Sequence, residues 1–366
     1  MKELLHFVKH NTVFVISFFA AIITSFIVTP DKEYLGYIDF KTIACLFSVL
    51  AVVCALKNVN FFYLLAVKIV KKFKGLRNAV TALVFVTLIG SMFIANDMAL
   101  LTFLPLGYLM LHTTGNEKYM AFVFIMQNIA ANLGGMLTPF GNPQNLFLYT
   151  KFEIPNGEFV SIMLPSFVLS IIIIAFLCFF LPNDELILAE RKMRSDRKKT
   201  VIYLFLFVLA VLIVFRGIPY QLGTVIIIIA LLFLDKKALK MVDYPLLLTF
   251  VCFFIFSGNM ARIDIVKNFF EALLSKDELI VSVLSCQIIS NVPSAILLSE
   301  FTVNYSDLLI GVNIGGIGTL ISSLASLITF REYVNHNPGK SLSYISKFSL
   351  YNFSILLILV LFAKLL

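Results

Sequence analysis

Long apolar runs alternate along this chain with short polar and basic segments. Residues 13–29, 159–181, 201–215, 222–234 and 342–363 are almost uncharged. Read as helices rising about 1.5 Å per residue, such runs cross a hydrocarbon layer of about 30 Å. Further apolar runs lie at 40–56, 119–149, 245–258 and 307–330, two of them with polar interruptions. Two regions depart from the pattern. Residues 78–113 are too long for one helix and carry Ala95-Asn96-Asp97 near the middle, and residues 278–300 turn around Ser290-Asn291-Val292-Pro293. Both are read as re-entrant hairpins, because a polar tip deep in an apolar stretch fits a helix pair that dips in and returns. For 78–113 two full helices with the tip outside are the alternative, which the charges do not decide and the internal repeat disfavours. The prediction is an all-α polytopic membrane protein with about nine transmembrane helices plus two hairpins.

Composition narrows the function. Of 366 residues, 60% are hydrophobic and only 14% charged, against about 25% charged in soluble domains. The net charge of +8 does not point to nucleic acid, because Lys and Arg sit in short loops between apolar runs. The positive-inside rule predicts that placement for cytoplasmic loops. Starting inside with Lys2 and Lys9, and outside at Asp31, Lys32 and Glu33, the map puts most of the 29 Lys and Arg on one face. It predicts a multi-pass protein of the plasma (inner) membrane, among membrane lipid, with a cytoplasmic N-terminus. No small-residue cleavage site follows the first apolar run, so 13–29 is read as a retained helix. Cys45, Cys54, Cys178, Cys252 and Cys286 lie in apolar segments and read as small core residues. Metalloprotease, nucleophile-elbow and phosphate-loop motifs are absent from the sequence, so it does not read as an enzyme.

An internal repeat is the most informative feature. Ile38-Asp39-Phe40 opens one unit and Val242-Asp243-Tyr244 another. Ile94-Ala95-Asn96-Asp97 matches Ile289-Ser290-Asn291-Val292, and the stretch beginning Asn132-Leu133-Gly134-Gly135 matches that beginning Asn313-Ile314-Gly315-Gly316. On the charge map the first unit begins outside and the second inside. Such inverted-topology repeats characterise secondary transporters. The expected organisation is an N-terminal helix over 1–37 and a first repeat over 38–181 with its hairpin at 78–113. A linker with a helix pair follows over 182–241, then a second repeat over 242–366 with its hairpin at 278–300.

The polar residues at the breaks are the candidate sites. Non-helical backbone at membrane depth persists only where protein or water satisfies its polar groups. Freed carbonyls with the oxygens of Asn96, Thr138, Ser290 and Asn291 can coordinate a small cation, and helix N-termini at the same breaks favour an anion. Asp97 is costly in a membrane and is read as a site that binds a cation or carries a proton. The plain alternatives are interhelical hydrogen bonding and a structural carboxyl. Gly141, Asn142, Pro143, Gln144 and Asn145 interrupt another span, with neutral amides suited to orienting a polar solute. Thr319, Ser322, Ser323 and Ser326 hold the matching place in the second unit, and a simple proline kink is the plain alternative for the first.

At these residues the chain resembles the ion transporter superfamily, which holds divalent anion–sodium symporters, citrate transporters, arsenite permeases and one class of sodium–proton antiporters. Its divalent-anion symporters carry Ser-Asn-Thr at each hairpin tip, where this chain has Ala95-Asn96-Asp97 and Ser290-Asn291-Val292. The resemblance runs from about Ile38 to Phe330. It implies a scaffold and a moving transport body, a homodimer, elevator-like alternating access, and sodium near Asn96 and Asn291 with substrate between them. Two departures stand out. Val292 in place of the second Thr puts a second sodium site in doubt, and Asp97 in place of the first makes proton coupling more credible. The expected function is transport of a small anion, a di- or tricarboxylate such as citrate or succinate, coupled to Na+ or H+ and using no other cofactor. The alternatives are arsenite or antimonite export, or sodium–proton exchange; a channel or membrane-embedded enzyme is the reading from another class. The predicted substrate contacts are Asn96, Gly141, Asn142, Pro143, Asn145, Asn291, Thr319, Ser322 and Ser323. The predicted ion contacts are Asn96, Asp97, Thr138, Ser290 and Asn291.

Overall fold

The computed structural model describes residues 11–184 and 196–366. Lys2, Lys9, Arg191, Lys192 and Arg194, which carry part of the charge map, lie outside the described residues. Regular structure among the described residues is helical throughout. Six stretches are long and apolar enough to cross a membrane: Phe40–Asn58, Leu76–Ile94, Glu117–Leu137, Asn156–Phe179, Tyr244–Ala261 and Ser341–Ala363. With the shorter apolar helices Thr12–Ile27 and Tyr220–Leu234, the chain is an all-α polytopic membrane protein.

The first half begins with α1 (Thr12–Ile27), a short α2 (Tyr34–Tyr37), α3 (Phe40–Asn58) and α4 (Phe61–Val70). The hairpin α5 (Leu76–Ile94) and α6 (Asn96–Thr113) follows, then α7 (Met120–Gly134), α8 (Pro143–Lys151) and α9 (Asn156–Phe179). The helix pair α10 (Arg197–Val214) and α11 (Tyr220–Leu234) and a short α12 (Lys236–Lys240) make the connection. The second half repeats the order with α13 (Tyr244–Ala261), α14 (Asp264–Leu274), the hairpin α15 (Glu278–Ile289) and α16 (Asn291–Leu298), then α17 (Tyr305–Ile314), α18 (Leu324–His336) and α19 (Ser341–Ala363). Helix α4 stands where the sequence reads as a basic loop; Lys68, Lys71, Lys72 and Lys74 hide the apolar face that Phe62, Ala66 and Val70 bury.

Local chemistry sets the helix starts. Asp39 and Asp243 open α3 and α13 in the same way, each carboxylate accepting the backbone N–H three residues on, Thr42 N and Leu246 N, at 2.9 Å. Such a cap satisfies one of the free N–H groups of a first turn. Both hairpins turn at one residue: Ala95 has φ 63° and ψ 150°, and Ser290 has φ 76° and ψ 158°. These are positive-φ values that non-glycine residues rarely hold. The two arms lie antiparallel. A Cβ on Gly90 would strike the ring of Phe103, and Ser285 and Ser294 hydroxyls meet at 2.8 Å.

The hairpins open toward opposite faces. The base of the first is tied to the end of α9, Leu76 N–H donating to Asp184 O at 2.8 Å and Arg77 Nε to Leu181 O at 2.6 Å. The end of the second is tied to the other side, through Lys151–Glu300 at 2.5 Å, beside the hydrogen bond from Tyr305 to Glu158 at 2.6 Å near the start of α9. Since α9 is 24 residues long, about 36 Å, the two hairpin bases stand a membrane thickness apart.

Packing sorts the helices into two bodies. Helices α1, α3, α10, α11 and α13 pack on one another; α5 to α9 and α15 to α19 form the other group. Within the second body α7 is central, with 89% of its span buried, whereas α9 and α19 are 33% and 28% buried and face outward. The bodies meet where α3 touches α8 and α13 touches α16. Aromatic contacts mark that seam, including Phe140–Phe207, Phe140–Phe215 and Phe147–Phe254.

Candidate functional site

Both hairpin tips arrive at one cavity of about 320 Å³, within the usual size for small-molecule sites. Its lining includes Asn96, Asp97, Pro143, Ser290, Asn291 and Leu324. Four of these, Asn96, Pro143, Asn291 and Leu324, are the first residues of α6, α8, α16 and α18. Four helix N-termini therefore converge, each carrying a partial positive charge of about half a unit. At both tips the asparagine Oδ1 accepts the next backbone N–H at 2.9 Å, from Asp97 and from Val292.

Behind the cavity lies a buried amide network that joins the two halves. Asn96 Nδ2 donates to Asn132 Oδ1 at 3.2 Å, and Asn132 Nδ2 to Asn128 O at 3.0 Å. Asn128 Nδ2 reaches Ser326 Oγ at 3.3 Å. Asn142 Nδ2 donates to Asn132 O at 3.2 Å and Asn313 Oδ1 at 3.3 Å, and Asn313 Nδ2 to Asn145 Oδ1 at 2.6 Å. Asn145 Nδ2 in turn gathers the carbonyls of Gly135, Met136 and Thr138, groups that the helix break leaves without intrahelical partners. Close approach requires Gly135, where a Cβ would stand 2.3 Å from Asn142 Oδ1 and 2.7 Å from Gly141 O, while one on Gly316 would press on Asn291 Nδ2 at 3.0 Å.

The structure thus divides the predicted contacts. Asn96, Asp97, Pro143, Ser290 and Asn291 line the cavity. Asn142, Asn145, Ser322 and Ser323 are buried and engaged mainly with protein, although Asn142 Oδ1 has no hydrogen-bond partner. Ser322 Oγ donates to Gly316 O and Thr319 O at 2.8 Å, and Ser323 caps α18. Thr319 Oγ1 bonds Gln287 O at 3.1 Å, Thr138 Oγ1 bonds Met92 O at 2.6 Å, and Gly141 presses against Gly135. These residues build the walls. Replacing Asn313 with Leu removes the partner of Asn145 Oδ1 and one partner of Asn142. At about 1–3 kcal/mol for a buried polar group left unpaired, the detergent-purified variant is expected to melt several degrees below wild type. An Asn268→Leu control at an exposed position of α14 is expected to melt with wild type.

Gln144, read from the sequence as one of the amides that could orient a solute, lies in the cavity, and so do two charged residues outside the predicted set, Asp243 and Arg331. Gln144 is 1% exposed, and neither of its amide atoms has a hydrogen-bond partner; it lines the cavity between the hairpin tips. Arg331 on α18 and Asp243 at the start of α13 also line it. Asp243 was legible only as half of the repeat opening, and Arg331 only as one more cytoplasmic charge. Neither contains a motif; the fold brings them to the site. The described residues hold no group of three or more His, Cys, Asp or Glu that could bind a metal.

The model of the citrate transporter family matches residues 4–311. This chain belongs to that family. Over 310 residues it is 35% identical to the uncharacterized transporter MJ0456 of Methanocaldococcus jannaschii, covering 83% of this chain and 84% of the relative. It is 27% identical over 313 residues to the inner membrane protein YbiR of Escherichia coli, covering 84% of this chain and 83% of that one. This citrate transporter family member is therefore a multi-pass secondary transporter and not an enzyme. Its paired hairpins and broken helices meeting at one cavity are the arrangement on which carriers with internal repeats place their ligands.

Proposed function

We propose that this protein carries a small di- or tricarboxylate, such as citrate or succinate, coupled to Na+ or H+ by elevator-like alternating access. The observation that carries the reading is the convergence of four helix N-termini on a cavity that also holds Gln144 and Arg331. The N-termini and the guanidinium favour an anion. Gln144, buried with an unpaired amide, supplies the neutral donor and acceptor that orient it. The family's description as citrate transporters supports a carboxylate. The cavity opens beside Asn11, Asp243 and Arg331, on the face that the positive-inside rule assigns to the cytoplasm, so the state described is inward-facing.

Aromatic contacts make up much of the seam between the two bodies, which supports sliding of the hairpin body along the other. Arg216, which donates to Tyr149 O at 2.8 Å and Glu153 O at 3.1 Å across it, would have to release these bonds. On this reading the N-terminus is cytoplasmic, the membrane is the plasma membrane, as the relative's name suggests, and the carrier works as a homodimer. The test is thermal unfolding of the detergent-purified chain against a panel of anions, each in sodium and in choline buffer. A ligand at 100 times its Kd adds about 2.7 kcal/mol. Stabilisation by a tricarboxylate or dicarboxylate in sodium or acidic buffer is expected. A flat response to every carboxylate, with a shift from sodium or pH alone, overturns the anion reading in favour of cation exchange or metalloid export.

A further inference from the structure

The cavity continues into a narrower cleft between α3, α6 and α8, and Asp97 and Asp243 line both spaces. Every other residue lining the cleft is apolar, among them Leu46, Leu50, Met98, Phe140 and Leu324. Arg331 lines the wider cavity but not the cleft. Two like charges in so apolar a space repel strongly unless a cation sits with them, and the cleft lining supplies none. Asp97 Oδ1 is buried without a hydrogen-bond partner. Asp243 spends one oxygen on capping α13, through Leu246 N–H. The nearby amide of Gln144, buried and unpartnered, is a separate sign that a ligand completes this region.

The two carboxylates belong to different bodies. Asp97 is on α6 of the hairpin body, whereas Asp243 caps α13 of the other. We propose that Asp97 and Asp243 together hold the coupling cation, a proton or Na+, in a site that is complete only when the hairpin body stands where it does here. The proposal rests on the alternating-access reading above. Movement of the hairpin body carries Asp97 away from Asp243, so the cation loses half of its ligands and leaves on the far side. Loading before movement removes a repulsion across the seam, which links the two events. The second repeat places Val292 where the first has Asp97, and Asp39 where the second has Asp243. With no carboxylate on that tip, an equivalent pair does not form, and the cation site is one-sided.

The test uses Asp243→Asn, because Asn caps a helix as well as Asp does and the fold of α13 is kept. Apparent melting temperatures of the full chain in detergent are compared between alkaline choline buffer and either sodium or acidic buffer. Wild type is expected to gain stability from the added cation. Asp243→Asn and Asp97→Asn are each expected to need at least about tenfold more cation for the same gain, a coupling of ordinary size. Asp264→Asn, on exposed α14, keeps the wild-type response. A wild type indifferent to both cations overturns the proposal, as does an Asp243→Asn protein that responds like wild type. Citrate is titrated in parallel as a probe. Stabilisation by citrate without any cation response removes the carboxylate pair and leaves the anion carrier. A cation response that depends on Asp243, with no citrate response, leaves the pair and removes the carboxylate substrate.

Discussion

Asp97→Asn is expected to abolish cation-driven uptake while the protein still folds. The substitution keeps the size of the side chain and removes its charge. Asp97 occupies the first turn of α6, directly after the positive-φ turn at Ala95, so its backbone is held by the hairpin and not by its own carboxylate. What the variant loses is the charge that draws a cation into the cleft, and an ionisable group at this depth is costly to keep for structure alone. In proteoliposomes with an imposed sodium or proton gradient, uptake of radiolabelled citrate is expected to fall about 100-fold, the upper range of ordinary coupling between two ligands. Exchange of citrate across a membrane without any gradient is expected to persist, because the helix N-termini and Gln144 remain. Full gradient-driven uptake by the variant would remove Asp97 from the mechanism.

Gly134→Ala is expected to cost about 3 kcal/mol or more, beyond the usual range for overpacking. A Cβ there would stand 2.2 Å from the carbonyl oxygen of Leu88 and 2.5 Å from Ser91 Oγ. The first of these atoms is backbone of α5, the first arm of the hairpin, and moves only if the whole helix moves. Gly134 lies at the end of α7, where it lets the broken helix pack directly on the hairpin. Gly157→Ala is the matched control, since nothing lies within 4 Å of the added atom and a helical Ala outranks Gly. Detergent melting curves are expected to show a large loss for the first variant and none for the second. Equal curves would mean that α7 does not approach α5 this closely.

The hairpin limits illustrate how much of the fold local pattern carried. The reading of 78–113 and 278–300 as hairpins rested on a polar tip inside an apolar stretch, and the chain turns at Ala95 and Ser290 within those stretches. Apolar length and polar interruption are local properties, so they are visible in sequence. The amphipathic α4 was not, because four lysines in and after Phe61–Val70 outweigh its apolar face when only charge is counted. The candidate site was legible in the same partial way. Asn96, Asp97, Ser290 and Asn291 were singled out because a polar tip in a membrane needs a reason, and all four line the cavity. The roles of Asn142 and Asn145 were not, because whether an amide meets solute or a neighbouring carbonyl depends on what packs behind it.

The amino-acid sequence by itself determined that this protein is an all-α polytopic membrane protein, that its two halves repeat, and that its polar chemistry gathers at the breaks in its helices. Each follows from periodicity and from the cost of bare polar groups in hydrocarbon, which depend on neighbours along the chain. Only the tertiary structure decided that Asp243 lines one cleft with Asp97 from 146 positions away, that Arg331 turns from a loop charge into a cavity residue, and that both amide atoms of Gln144 are left unpaired. These depend on which helices pack together, and a side chain's partners across a helix interface leave no mark on the residues beside it in the chain.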